Sequence, residues 1–489
     1  MTAPAHIDEL HPGRLLLPGL CFVVMTVAVL QTMVIPVVGT IGGQLGISTT
    51  AAGWVLTANL LAAVVATPTI GRLADLHGKR LVAIVVLILV FVGSLLAALT
   101  NSLELLLVGR VLQGASYALF PIALAVLREE MPPRKLVGST AILSGTLGVG
   151  GGVGLVLTGL LTADGADYHR VFWVTAAFVA LAITLAWFGI PRRPRTAVGS
   201  VDWVGAALLG AALVQLFLAL TQGRAWGWGS GATVGCAIGG VVILAGWWIF
   251  ENYTKAPIVA PRMLTHGPLL ATNLATLFVG IGMFINFLAC SYLVQTPSEA
   301  GYGFGADILS TSIVYLLPGA VVGVITATLS GSAIRRLGAR TVLTSSGVIG
   351  VAGFGFLAVS HSATWQVVLG SSIVNVFVSL AFAATPTLLM AEVSTAETSV
   401  ANGVNSIVRT VGTSIASAVL TTMLATYTIA GTQTPHEVVY TGAFAAGAVV
   451  SLFVTLFAFS IQASRRTASA KWQPLTPDSR SPRQSCGGP

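Results

Sequence analysis

Apolar residues run along this chain in long unbroken blocks and do not alternate with polar ones. Fourteen blocks can be drawn, at 15–39, 52–70, 81–100, 103–127, 138–162, 171–190, 203–222, 231–250, 268–296, 308–330, 342–360, 365–391, 400–429 and 441–462. A helix rises 1.5 Å per residue, so a block of about 20 residues crosses ~30 Å of hydrocarbon. Lipid offers no partner to backbone N–H and C=O groups, so a crossing segment is either a helix or a strand of a closed barrel. Barrel strands would alternate apolar and polar residues in segments of ~10. The pattern therefore predicts an all-α polytopic membrane protein with fourteen transmembrane helices, short loops, and a polar segment from about Ser464 that reads as a disordered tail.

Composition agrees with that reading. Of 489 residues, 55% are apolar and 8% charged, against roughly 25% charged in soluble domains. The net charge of +8 could suggest a nucleic-acid partner, but the placement of the charges argues against one. Twenty of the 24 Lys and Arg fall in the ends and loops of one side, among them Arg72, Lys79 and Arg80, Arg128, Arg134 and Lys135, and Arg335, Arg336 and Arg340. Arg170 and Arg224 lie on the other side, and Arg110 and Arg409 lie within blocks. Such a bias marks the cytoplasmic side, so both termini are expected there, in a bacterial inner membrane. The bilayer itself is thus the first expected partner. Cys21, Cys236 and Cys290 sit in apolar blocks and read as packing residues. The first block is too long for the h-region of a cleavable signal peptide. No cofactor or metal site is expected, because Walker loops, metal-ligand clusters and nucleophile motifs are missing from the sequence.

The chain repeats itself. GRLADLHGKRLV begins at Gly71 and GSAIRRLGARTV at Gly331, an offset of 260 that pairs Gly71 with Gly331, Gly78 with Gly338 and Arg80 with Arg340. Two six-helix halves with two extra helices between them have this offset. The expected organisation is a cytoplasmic N-terminus at 1–14, a bundle at 15–190, inserted helices at 191–267, a second bundle at 268–462 and a tail at 463–489. Duplicated halves are typical of secondary transporters.

The stretch GRLADLHGKR, with Gly71, Asp75, Gly78, Lys79 and Arg80, resembles the signature loop of the major facilitator superfamily. With GRVLQG at 109–114, WVLTANLLA after the first span, GYGFG at 301–305 and the fourteen-span layout, the chain resembles the drug:proton antiporter branch, in particular its actinobacterial multidrug exporters. The resemblance implies two bundles that rock about a midplane site. It implies that the loop around Asp75 helps hold the cytoplasmic side closed. It also implies that Arg110, with Gln113 and Gly114, is linked to proton coupling.

Two features depart from that branch. The acidic residue expected in the first span is Gln31, and the fifth span, SGTLGVGGGVGLVLTG at 144–159, lacks the expected Gly-Pro pair. Its glycines read as a surface for close helix packing. None of the 16 Asp and Glu lies deep in a block, although a proton carrier normally needs an embedded titratable group. Arg110 and Gln31 lie at matching depths, ~10 and ~12 Å from one face, so Gln31 is expected to accept a hydrogen bond from Arg110. Arg409 is near enough to the inner end of its span, with Glu392 and Glu397 close by, to snorkel toward the surface.

A cavity lined as the resemblance implies would carry Gln31, Asn59, Arg110, Gln113, Tyr117, Asn286, Tyr315, Asn375, Asn405 and Arg409, with Phe120, Phe284 and Phe382. Amides and aromatics in an apolar wall suit small amphipathic or hydrophobic substrates. The expected function is export of drug-like or lipophilic molecules by alternating access, with protons as the candidate coupling ion. Two alternatives stand beside it: an uptake, lipid or metabolite transporter without proton antiport, and a non-transporting membrane sensor. Enzymatic activity is not expected, since the loops are too short for a catalytic domain.

Overall fold

The computed structural model describes residues 13–161, 167–193, 202–254, 257, 259, 262–429 and 434–469. Among them the chain is helical apart from connections and an isolated antiparallel bridge between Thr428 and Pro435. Among the described residues, fourteen helices are long and apolar enough to cross a membrane. They are α1 (Leu16–Met33), α2 (Thr49–His77), α3 (Lys79–Leu99), α4 (Leu103–Glu130), α5 (Pro133–Leu161), α6 (His169–Gly189) and α7 (Trp203–Trp226). The rest are α8 (Gly231–Tyr253), α9 (Gly267–Gln295), α10 (Thr311–Leu337), α11 (Ala339–Val359), α12 (Thr364–Glu392), α13 (Thr398–Thr426) and α14 (Glu437–Ser469). The chain is a multi-pass membrane protein.

Several helices differ from the blocks in ways that local chemistry explains. α1 stops at Met33, short of the expected 39, because the turn that follows holds Pro36, which has no N–H and clashes with a preceding helical turn. A short helix, Val38–Leu45, takes up the remainder. α2 continues seven residues past the expected end at 70, so Gly71 and Asp75 lie on the helix and not in a loop. The chain turns at Gly78, where φ is +100°, and α3 starts at once. Such a φ favours glycine, which has no Cβ. α4 tightens to a 3-10 turn at Ala115–Ala118, and α10 opens with a π-helical stretch at Thr311–Leu316 just ahead of Pro318. α14 continues to Ser469, and the rest of the tail lies outside the described residues.

The two halves repeat one pairing scheme. α1 packs on α5 and α6, and α9 packs on α13 and α14. α3 packs on α4 and α6, and α11 on α12 and α14. Each half has its own apolar core, around Val27, Val90 and Phe120 in the first and Cys290, Phe377 and Phe444 in the second. Even the glycine turn recurs, with φ +86° at Gly338. Arg80 donates to the Trp187 carbonyl at the end of α6 and lies over that ring, and Arg340 does the same with the Phe459 carbonyl and ring of α14. Large apolar side chains such as Leu89, Ile238 and Leu329 remain exposed around the outside, where lipid covers them.

α7 and α8 pack on each other, and α7 lies against α2 and α13. Phe217 is buried between Val64 and Ile407, and Gln222 donates to the Thr57 hydroxyl at 3.2 Å. The inserted pair therefore covers the seam where α2 of one half meets α13 of the other.

Candidate functional site

Two groups of polar and aromatic residues bridge the halves, one at the face rich in Lys and Arg, here the basic face, and one at mid-membrane. At the basic face Asp75 is fully buried on the last turn of α2. Its Oδ1 accepts from the Ser399 hydroxyl of α13 at 2.8 Å and lies 3.3 Å from Lys79 Nζ. Lys79 also reaches Glu129 Oε1 at 2.6 Å. Ser399 is in the first turn of α13, where unsatisfied N–H groups and the helix dipole attract a carboxylate. Gly71 lies one turn earlier on α2, and a Cβ there would lie 3.4 Å from the Ser399 carbonyl oxygen, in van der Waals contact with α13.

Arg128, near the end of α4, grips the other pole of the same junction. It donates to the carbonyls of Val393 (2.8 Å) and Ser394 (3.2 Å) and to the Thr398 hydroxyl (2.6 Å). These carbonyls close the C-terminal end of α12, where a cation is favoured. The α12–α13 turn is thus held by an anion at its helix-starting pole and a cation at its helix-ending pole, both from the first half. Beside it Arg193 makes a forked contact to Glu130, with Nε at 2.7 Å and a second nitrogen at 3.1 Å. Hydrogen bonding and charge from Glu130 hold the Arg193 guanidinium above its ordinary pKa.

Of the loop residues singled out from sequence, Gly71, Asp75 and Lys79 belong to this cluster, Gly78 makes the turn, and Arg80 is occupied with Trp187. Sequence reasoning missed Arg128, Glu129 and Ser399. The Arg-Glu-Glu run at 128–130, ending a span and rich in charge where the rest of the span is apolar, was the signal that could have found the first two.

At mid-membrane Arg110 is buried in a polar lattice between α2, α3 and α4. Its Nε donates to the Val55 carbonyl at 2.9 Å and its NH1 to Gln113 Oε1 at 2.6 Å. Gln113 in turn donates to Ser94 Oγ at 2.9 Å, and Asn59 donates to the Arg110 carbonyl at 3.0 Å. The expected bond to Gln31 is not formed. Gln113 lies one turn along the same helix and reaches the guanidinium first.

Arg409 does not snorkel. It sits near the middle of α13, and its guanidinium turns inward, 5.1 Å from the Phe382 ring centroid and 5.6 Å from that of Phe120. Phe120 belongs to α4 and Phe382 to α12, so the stack bridges the halves. Tyr117, one turn before Phe120, lies within electrostatic reach of both Arg110 and Arg409.

The remaining candidates form separate groups in the second half. Asn405 donates to Asn273 Oδ1 and Thr276 Oγ1, both at 2.9 Å, tying α13 to α9. Asn286 donates to Ser371 Oγ at 3.2 Å, and Asn375 to the Ser371 carbonyl at 2.9 Å. Tyr315 pairs with Thr364 at 3.2 Å, near the opposite face. These bonds lie within one half, so they brace helices there. Tyr117, Phe382, Asn375 and Arg409 are partly exposed although they lie within spans.

Comparison with known proteins places this geometry among relatives. The sequence model of the Major Facilitator Superfamily matches residues 20–417. The chain is 28% identical over 372 residues to an uncharacterised MFS-type transporter of Mycobacterium tuberculosis, covering 74% of this chain and 53% of that one. It thus spans about half the length of that relative. It is 29% identical over 395 residues to the tetracenomycin C resistance and export protein of Streptomyces glaucescens, covering 76% of this chain and 68% of the other. Among solved structures, the human organic anion transporter MFSD10 superposes with a TM-score of 0.64 at 14% identity, covering 92% of this chain and all of that one, which is a likeness of fold.

Proposed function

The chain belongs to the Major Facilitator Superfamily, and on that premise we propose that it exports small amphipathic or lipophilic molecules across the bacterial cell membrane by alternating access. The observation that carries this reading is the double grip on the α12–α13 turn. Asp75 and Arg128 join the halves at one face only through side-chain contacts, which break and re-form without unfolding a helix. The partly exposed group around Arg409 and Tyr117 lies between the halves deeper in the membrane. In the proposal the basic face is cytoplasmic, both termini lie there, and the grip is the inner gate in its closed state. Rocking of the halves opens it and gives access to the site from inside. The tetracenomycin exporter among the relatives supports the direction of transport.

A second reading, transport without proton antiport, is favoured by one observation. The described carboxylates lie at or near helix ends or in connections, and Gln31 stands where the drug:proton branch is expected to carry an acid. Proteoliposomes test both readings. They are loaded at acidic pH, diluted into alkaline buffer, and challenged with cationic, neutral and anionic lipophiles while a dye follows the pH gradient. Substrate-dependent collapse supports proton antiport. Movement of labelled substrate without collapse supports the second reading. No movement of any compound, by protein shown to be folded and inserted, would sink both.

A further inference from the structure

We propose that the central site takes an amphipathic organic anion, with Arg409 as the residue that receives its carboxylate or other oxyanion head. This rests on the transport reading above and names the substrate class of that same site.

The argument begins with charge. Two arginines, Arg110 and Arg409, lie inside spans, and the chain's 16 carboxylates lie elsewhere. The described acids nearest the membrane are already engaged or peripheral. Asp75 is on Lys79 and Ser399, Glu129 on Lys79, Glu130 on Arg193, and Glu104 is at the opposite-face start of α4 beside Ser102. The midplane therefore carries cationic groups with no carboxylate near them. A charge in hydrocarbon is retained where it meets water, a partner or a ligand.

The two arginines are not equivalent. Arg110 donates from Nε and NH1 to Val55 and Gln113 inside a buried lattice, which anchors it to helices of its own half. Arg409 has aromatic rings at its sides and, among the described residues, no hydrogen bond from its guanidinium. Cation–π contact stabilises the charge but gives no acceptor to its five N–H groups. The side chain is partly exposed while its own helix is packed so closely on α9 that a Cβ at Gly280 would meet the Arg409 carbonyl. The rings that flank the guanidinium come from α4 of one half and α12 of the other, so it lies between the halves. A planar fork of donors flanked by two rings is suited to an oxyanion, which it binds through paired, charge-assisted hydrogen bonds. Phe382 is partly exposed and supplies a flat apolar wall for the body of the ligand, and Tyr117, also partly exposed, lies within electrostatic reach of the same charge. A cationic ligand would meet the uncompensated arginine directly and be repelled.

The test uses three probes with one apolar body and different heads: 1-pyrenebutyrate, its neutral amide, and 1-pyrenebutylamine. Binding to the purified full chain in nanodiscs is read from pyrene fluorescence against empty nanodiscs. The expected result is a carboxylate at least about tenfold tighter than the amide, the size of one to two charge-assisted hydrogen bonds, with no saturable binding of the amine. Arg409→Gln is expected to abolish the preference and leave amide affinity within about twofold, while Arg409→Lys keeps part of it. Equal affinities, or a tighter amine, in the wild type would overturn the proposal without recourse to any variant. A preference that persists in Arg409→Gln would overturn it too, provided the variant elutes and melts like the wild type. Displacement of pyrenebutyrate by phosphatidic acid built into the nanodiscs would identify the bilayer as the source of the anion. Displacement by water-soluble naphthoate alone would identify the aqueous phase. The same probes are then followed in proteoliposomes. Transport of amide and carboxylate at equal rates would sink the anion site and leave the transport reading standing. Selective binding of the carboxylate with no transport of any probe would do the reverse.

Discussion

The two seams between the halves are related by the internal repeat, yet they are built from different chemistry. Where α2 meets α13, the contact is a buried carboxylate, a lysine and a serine, flanked by the Arg128 grip. Where α10 meets α5, the equivalent helices touch through small residues. Gly138, Gly145, Gly152 and Gly159 recur every seventh position along α5 and face Gly331, Ala327 and Ala320 of α10 and Leu309 just ahead of it. A seven-residue repeat keeps one stripe of a helix against its partner, and small residues let backbones approach closely in lipid. One seam is thus dispersive and continuous from face to face, and the other is electrostatic and concentrated at one end. The insert differs in the same sense, because α7 covers the α2–α13 seam and makes no comparable contact with α5 or α10. The repeat itself marks the asymmetry: the position matching Asp75 at the 260 offset is Arg335. In the proposed cycle the glycine seam is the pivot and the charged seam is the gate.

The largest effect is expected from breaking the pivot. A Cβ at Gly331 would lie 2.8 Å from Gly138 Cα, a backbone atom that cannot turn aside. Gly331→Val should therefore destabilise the protein by about 1–3 kcal/mol, the usual cost of overpacking. It should also lose most transport, read as a lowered melting temperature in detergent and as flux in proteoliposomes. Gly148 lies on the same helix, α5, and a Cβ there would meet no atom within 4 Å, so it should accept alanine silently and serves as the control. Equal tolerance at both positions would remove the pivot from the comparison.

Next in size is the gate. Asp75→Asn keeps the shape of the side chain and its bond with Ser399, but removes the charge that faces Lys79 and the start of α13. The closed state should lose about 1–2 kcal/mol, a five- to thirtyfold shift toward open. Spin labels placed across the basic ends of α2 and α13 would read this as a longer distance distribution. Labels across α5 and α10 should not move. An unchanged distribution at the charged seam would strip Asp75 of its gating role.

The difference between the seams also explains how far the sequence can be read. Spans, halves and the motif are legible because each depends on local pattern: long apolar blocks, a 260-residue echo, and glycines at turns. Contacts between distant helices are not. Arg110 and Gln31 match in depth, but depth along two helices leaves their rotation free, and Gln113, fixed one turn away on the same helix, takes the bond. The long stem of Arg409 would allow it to snorkel, but the rings of Phe120 and Phe382 hold it, and they come from helices hundreds of residues apart in sequence or on the far side of a turn. The glycine stripe is legible as a packing surface. Its partner is harder to see: Leu309, Ala320, Ala327 and Gly331 are spaced by 11, 7 and 4, which keeps them on one helical face, but leucine and alanine there do not stand out from an apolar span.

A smaller effect is expected at the second grip. Arg128 is half-buried, so water screens part of its attraction for the α12 carbonyls. Arg128→Gln should weaken the closed state by about 0.5–1 kcal/mol, a few-fold shift, and Arg128→Lys by less. Combined with Asp75→Asn, the shifts should exceed the sum of the single effects if both groups hold the same α12–α13 turn, since residues sharing one element do not add independently. Strict additivity in the spin-label distances would separate the two grips into unrelated contacts.

The smallest effect distinguishes a cover from a strut. Gln222 ties α7 to α2 through Thr57, a contact on the first half alone, whereas Phe217 touches Val64 of α2 and Ile407 of α13 together. If the insert rides with the first half and merely shields the seam, Gln222→Ala should cost about 0.6 kcal/mol of stability, the mean for such bonds between membrane helices. It should leave the open-to-closed ratio untouched. Phe217→Leu, a modest loss of volume at a side chain that spans the gate, should shift that ratio slightly toward open, by less than about twofold. The reverse pattern, a shifted ratio from Gln222→Ala and none from Phe217→Leu, would make α7 a strut that sets the angle of the first half. The asymmetry of the two seams would then originate in the insert and not in the carboxylate of Asp75.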